Sequence, residues 1–103
     1  MIIRQWRGLA KLSSGDHYLA HFRADVLPKL QALAGFCGAT VMRRTTRHGV
    51  EVIVLTRWES LDAVRQFAGD DLEAAVVAPV AQAYLASYCH SVSHHEIVLD
   101  EPA

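Results

Sequence analysis

Histidines 94 and 95 are the two residues of this chain whose type most readily suggests proton chemistry. An imidazole titrates near neutral pH, so one that lines a cavity could accept a proton from a bound molecule. They are adjacent in the strand-like run Cys89 to Leu99. Successive strand side chains point to opposite faces, so one should face the helix-covered side and the other a dimer side or an edge. Either could instead be a hydrogen-bonded structural histidine. They cannot chelate a metal together, and His90 lies ~13 Å away along the strand. Arg4 and Trp6 share one face of a first strand, and an arginine beside an aromatic could hold an enolate or carboxylate. The bland reading is a surface Arg4 stacked on a half-exposed Trp6. Tyr18 and His21 are three apart on a helix flank and could open onto a cavity, as could Tyr84 and Tyr88 further on. Trp58 ends an apolar strand, where it is either a pocket wall or a core plug. Arg43, Arg44, Arg47 and His48 read as a solvated sheet edge. There is no Gly-rich phosphate loop, no Ser-His-Asp pattern and no zinc spacing.

The elements that carry these residues follow from patterning. Ile2 to Leu9 reads as a strand, broken at Gly8 and Ser13-Ser14-Gly15-Asp16. Ser13 or Ser14 should cap a helix whose inner face is Leu19, Phe22, Val26, Leu30 and Leu33. Pro28 lacks an N–H and crowds the carbonyl of Ala24, which predicts a kink near Ala24 to Leu27. Gly35 stops that helix. Phe36 to Thr46 is a second strand, and Arg47-His48-Gly49 is a hairpin turn in which Gly49 supplies positive φ. The third strand, Val50 to Trp58, is apolar on both alternating faces at Val52-Ile53-Val54-Leu55. A strand with one wet face would alternate, so both faces should be covered, most simply by a second copy of the sheet. Ser60 caps a helix with Leu61, Val64, Phe67 and Ala68 inside, and Gly69 ends it. Leu72 to Tyr88 reads as a third helical stretch that breaks near Pro79, and Cys89 to Leu99 as a last strand. The order β-α-β-β-α(α)-β is the split βαβ, ferredoxin-like plan of an α+β fold. It has a four-stranded antiparallel sheet with helices on one face.

With 103 residues, the expectation is one domain over 1–103. The apolar share is 51% and net charge is −1. That balance argues against electrostatic binding to nucleic acid or an anionic membrane. No apolar run approaches ~20 residues, and Met1-Ile-Ile-Arg-Gln-Trp-Arg does not read as a signal peptide. Cys37 and Cys89 are expected as buried, reduced thiols of a cytoplasmic protein.

The chain resembles the antibiotic-biosynthesis-monooxygenase-type domains. The resemblance rests on Gly35-Phe36-x-Gly38-Ala39, Val54-Leu-Thr-Arg-Trp58-Glu-Ser60, Ala63 through Asp71, Pro79, and His94-His95-Glu96-Ile97-Val98. It implies the dimeric α/β-barrel version of the ferredoxin-like fold and hence a homodimer. Haem-degrading members carry an Asn late in the first strand, a Trp on the second helix and a ligating His beyond it. Those positions fall here on Trp6 or Arg7, on Phe67 and on Val77, which argues against haem degradation. The resemblance otherwise implies an oxygenase that needs no metal or flavin and acts on an aromatic or polyketide-type molecule. Such a site asks for an apolar pocket, a proton acceptor, and a donor or cation to steady the anion. His94, His95 and Arg4 are the catalytic candidates. Trp6, Tyr18, His21, Trp58, Phe67 and Tyr84 are the candidates for lining the pocket. The rival reading is a non-catalytic ligand-binding or scaffold dimer on the same fold.

Overall fold

Strand β1 (Ile2–Ala10) sits inside the sheet, and its two edges place the other strands. The structure, a computed structural model, describes residues 1–103. β1 pairs antiparallel with β3 (Gly49–Trp58) from Ile2 opposite Trp58 to Ala10 opposite Val50. β3 pairs in turn with β2 (Phe36–Thr46) across a turn at Arg47-His48. Gly49 has φ +151° and already belongs to β3, where an added Cβ would stand 2.4 Å from the Ala10 carbonyl oxygen. On the other edge of β1 lie two short strands. β4 (Leu85–Tyr88) pairs with Gly8 to Ala10, and β5 (Ser93–Glu96) pairs with Ile2 to Gln5. The order is β2-β3-β1-β4 with β5 also on β1. This is the expected ferredoxin-like plan, with its fourth row in two pieces.

Two corrections fall in the last third of the chain. The expected helix over Leu72 to Tyr88 is reduced to α4 (Pro79–Gln82), and Leu85 to Tyr88 are strand. The four-residue recurrence of Leu72, Val76, Val80, Tyr84 and Tyr88 is therefore not a helix face. Pro79 forces Ala78 into extended backbone (φ −61°, ψ 145°), and a helix cannot run through that residue. The expected strand from Cys89 also starts early and breaks. After Tyr88 the chain turns from β1 to the loop Asp70–Ala78: Ala75 N–H donates to the His90 carbonyl (2.9 Å) and Val92 N–H to the Glu73 carbonyl (2.8 Å). Both cysteines are exposed rather than buried. Cys37 is the extra residue where the β2 register shifts between Phe36 and Gly38, and Cys89 follows the end of β4.

The first helix has three parts: α1 (Gly15–His21), a π segment (Phe22–Val26) and α2 (Leu27–Gln31). The π segment lies where Pro28 predicts a kink. Leu27 N–H reaches back five residues to the Phe22 carbonyl. Ser14 precedes α1 but gives no side-chain cap; its carbonyl takes the Tyr18 N–H at 2.9 Å. The inner face is Tyr18, His21, Phe22 and Leu30, with Leu19 and Val26 only half-buried. In a regular α-helix, a step of four residues drifts by about 40° around the axis. The wider turn takes up that drift and keeps Phe22, Val26 and Leu30 on the sheet side. α3 (Leu61–Ala68) is capped as expected, the Ser60 hydroxyl accepting from Ala63 N–H at 3.1 Å.

These helices cover one face of the sheet. Along β3, Val50, Val52, Val54, Thr56 and Trp58 are buried, while Glu51, Ile53, Leu55 and Arg57 are half-exposed on the other face. No helix is long and apolar enough to cross a membrane.

Candidate active site

A cavity of about 60 Å³ lies between the covered face and the first helix. β1 supplies Arg4 and Trp6, α1 supplies Tyr18 and His21, and α3 supplies Phe67. The loop Asp70–Ala78 closes it with Val76 and Val77; Val76 is 50% exposed and so marks the rim. Trp6 has its place because Gly8 has no side chain. A Cβ there would meet the indole at 2.5 Å. Gly8 therefore continues β1 rather than breaking it. The Trp6 indole N–H donates to the Cys89 carbonyl at 3.0 Å, and Tyr18 stacks on the ring at 5.8 Å and 25°.

His21 is 7% exposed, and its Nδ1 lies 2.9 Å from Asp25 Oδ2. A carboxylate only accepts, so Nδ1 carries a proton, and in the neutral form of the ring Nε2 is a bare lone pair. That Nε2 is buried with no protein partner. An imidazole oriented through Nδ1 by a carboxylate, with its other nitrogen free, is the arrangement of a general base. The phenol of Tyr18 is pushed up by burial, so it keeps its proton.

Arg4 is 4% exposed and takes part in no ion pair. Its Nη1 donates to the Leu72 carbonyl (2.6 Å) and to His94 Nε2 (3.1 Å), and its Nη2 to the Ala74 carbonyl (2.7 Å). The guanidinium lies over the Phe67 ring, 5.7 Å from its centroid. Burial lowers its pKa to about 10, which leaves it cationic at neutral pH. Arg4 thus ties the loop Asp70–Ala78 to the sheet.

His94 and His95 do point to opposite faces. His94 faces Arg4 on the covered side but is not among the cavity's walls. Its Nε2 must accept from Arg4, because a guanidinium has no acceptor. Burial, and then the charge of Arg4, hold its pKa below the ordinary 6.5, while Glu73 pulls the other way. A proton is therefore bound less readily in the folded chain than in the unfolded one. The stability linked to His94 is present above about pH 6.5 and lost as pH falls through its folded value. In thermal denaturation, acidification from about pH 7 to about pH 5 should lower the midpoint more in wild type than in His94→Gln, which accepts but does not titrate.

Three further candidates, besides His94, are not brought to the cavity. His95 is exposed on the opposite sheet face and bonds Ser93 Oγ at 2.9 Å, because Ile3, its partner in β1, points that way. Trp58 is 0% exposed, its indole N–H donating to Thr56 Oγ1 (2.8 Å) and its ring against Phe36 and Phe67. It plugs the core. Tyr84 follows α4 and stacks on His17 at 5.7 Å, outside the walls. Asp25 was missed by residue type alone, although its spacing of four from His21 on a helix could have found it. No three of His, Cys, Asp and Glu gather to hold a metal.

The small antiparallel sheet with its helices on one face is the fold of the antibiotic-biosynthesis-monooxygenase-type domains. A Bacillus cereus protein classed as an antibiotic biosynthesis monooxygenase superposes with a TM-score of 0.70 at 18% identity, over 100% of this chain and 96% of that one. A variant of MhuD, with two manganese protoporphyrin IX molecules bound per active site, gives a TM-score of 0.70 at 17% identity over 100% of both chains. No protein-family model and no curated protein matches the sequence.

Proposed function

We propose that this chain is an oxygenase-type enzyme that takes a proton from a small phenol- or enol-like substrate and lets the resulting anion meet dioxygen. The observation that carries this is the unpartnered, buried Nε2 of His21, a residue that lines the apolar cavity and has Asp25 behind its ring. The O–H proton of the substrate, or one C–H proton of its keto form, moves to Nε2. The electron pair at the conjugated carbon adds to dioxygen, and the peroxide takes the proton back from Nε2 to give a hydroperoxide. Loss of the C–H proton left on that carbon then forms C=O and breaks the O–O bond, and the hydroxide expelled takes up that proton. The products are a quinone-type ketone and water, with dioxygen as the only oxidant. Size limits the substrate. A benzene ring occupies a cavity of about 150 Å³, against about 60 Å³ here, so a ring enters only as Val76 and Val77 swing outward.

A haem does not fit these residues. Phe67 and Val77 are apolar walls that offer iron no ligand, and the cavity of about 60 Å³ is far below the volume of a macrocycle. Oxygen consumption with a naphthol and with an anthrone tests the reading, the naphthol being the smaller and faster substrate. Uptake no greater than without protein for both would sink it.

The same reading includes a homodimer formed through the open sheet face. Ile53 and Leu55 on β3 share that face with Ile3 on β1 and Met42 on β2, the last 43% exposed. These apolar residues sit among Gln5, Arg7, Arg44, Glu51 and Arg57, and an exposed apolar patch rimmed by polar residues marks an interaction site. Sedimentation velocity at micromolar concentration should give a dimer, and Ile53→Glu should give a monomer. A wild-type monomer would contradict it.

A further inference from the structure

We infer that the cavity is a receptor for acidic ligands: an apolar body bearing one ionised oxygen, with Arg4 as the group that holds the charge. This deepens the reading above, because it names the class of molecule that His21 would act on. The argument starts from what Arg4 lacks. A buried charge is normally paired with an opposite one, since dipoles alone compensate its lost hydration poorly. Arg4 is 4% exposed, has no carboxylate partner, and lines the cavity. The neighbours it has are two carbonyls, a neutral imidazole nitrogen and a ring face, and none carries a charge. Three of its N–H groups are committed to Leu72, Ala74 and His94. A guanidinium has five donors, so the Nε–H and one Nη2–H have no protein partner.

Holding the loop would need donors but not a full charge. A latch alone does not account for a cation kept in an otherwise apolar chamber. An ionised oxygen does account for it, because it accepts from the free donors and neutralises the group. The volume sets the scale. A water needs about 10–15 Å³ measured in this way, so about 60 Å³ admits a short branched acid with the loop closed. A benzoate-sized acid requires the loop to yield. Because Arg4 also grips the Leu72 and Ala74 carbonyls, an anion drawn to it arrives beside the loop that carries Val76 and Val77.

The test compares acids with neutral molecules of the same shape on the wild-type protein, by calorimetry and by tryptophan fluorescence, to which Trp6 in the cavity wall and Trp58 in the core both contribute. One arm uses isobutyrate against isobutyramide and benzoate against benzamide. The other uses 4-nitrophenolate against nitrobenzene. The first answers for carboxylates and the second for phenolates. A preference for the charged member of about tenfold or more is expected in at least one arm, the scale of a hydrogen bond to a charged group. Arg4→Met should abolish that preference, and Arg4→Lys should keep part of it. The wild-type comparison stands even where a variant fails to fold. Equal or tighter binding of the neutral members in both arms, or no saturable binding of any probe at millimolar concentration, overturns the inference. Acid binding without oxygen uptake upholds it and removes the oxygenase reading. Oxygen uptake without preference for the anion does the reverse.

Discussion

Replacing His21 by alanine should lower oxygen uptake by about 10²–10⁴-fold, the usual worth of a positioned general base. The prediction depends on both ring nitrogens. Nδ1 is fixed by Asp25 at 2.9 Å, and Nε2 is buried without a partner. Asp25→Asn should cost less than His21→Ala, because the Asp25 side chain is 60% exposed and water can take its place. Loss of fold would mimic loss of base, so the control is chemical. The hole left by alanine should let added imidazole restore part of the rate at an unchanged thermal midpoint. A His21→Ala protein that folds and consumes oxygen as fast as wild type would remove His21 from the mechanism. The same assay on His94→Ala separates the two histidines. His94 Nε2 already accepts from Arg4 at 3.1 Å, so its loss acts on the guanidinium and not on the proton.

Trp58→Ala should cost about 3–5 kcal/mol of stability, the range for emptying a large aromatic from a core. For a domain of this size each kcal/mol lowers the midpoint by about 4–8 °C, so a fall of more than about 12 °C is expected. Trp58 is 0% exposed and touches Phe36 and Phe67. Removing it also strips Thr56 Oγ1 of the donor it accepts from at 2.8 Å. Trp6→Ala is the comparison. Trp6 is half-buried and borders a space that already exists, so it should cost less stability and more ligand binding. Equal destabilisation by the two substitutions would mean that Trp58 is not the plug of the core.

The strands Ile2–Ala10, Phe36–Thr46 and Gly49–Trp58 and the helix Leu61–Ala68 were legible because their signals are local. Alternation, a two-residue turn and a serine cap each decide within a few residues. Residues 72–88 were not legible. Whether Leu85 to Tyr88 is helix or strand is decided by the free edge of β1, more than seventy residues away in sequence. A spacing of four cannot report on that. At the site, residue type brought Arg4, Trp6, Tyr18 and His21 into consideration, and the family resemblance added Phe67. Residue type could not choose among the histidines, because orientation decides. The register of β5 against Ile3 and Arg4 sends His95 outward and His94 toward the guanidinium. His21 owes its inward position to the helix that carries it.

That helix changes pitch once, at Phe22–Val26, and so consists of two segments whose rotations about the axis are set separately. Both segments are anchored in the core, the rear by Leu30 and the front by Tyr18. The front segment, with Tyr18 and His21, takes its angle from how far the wide turn unwinds. Removing one residue from that turn would rotate the front by about 100° against the rear. It would carry His21 out of the chamber while leaving the core contacts of Leu30 in place. The aim of the reactive end is therefore coupled to the packing of Tyr18, and a one-residue change in that turn should alter the chemistry and the front half of the core together.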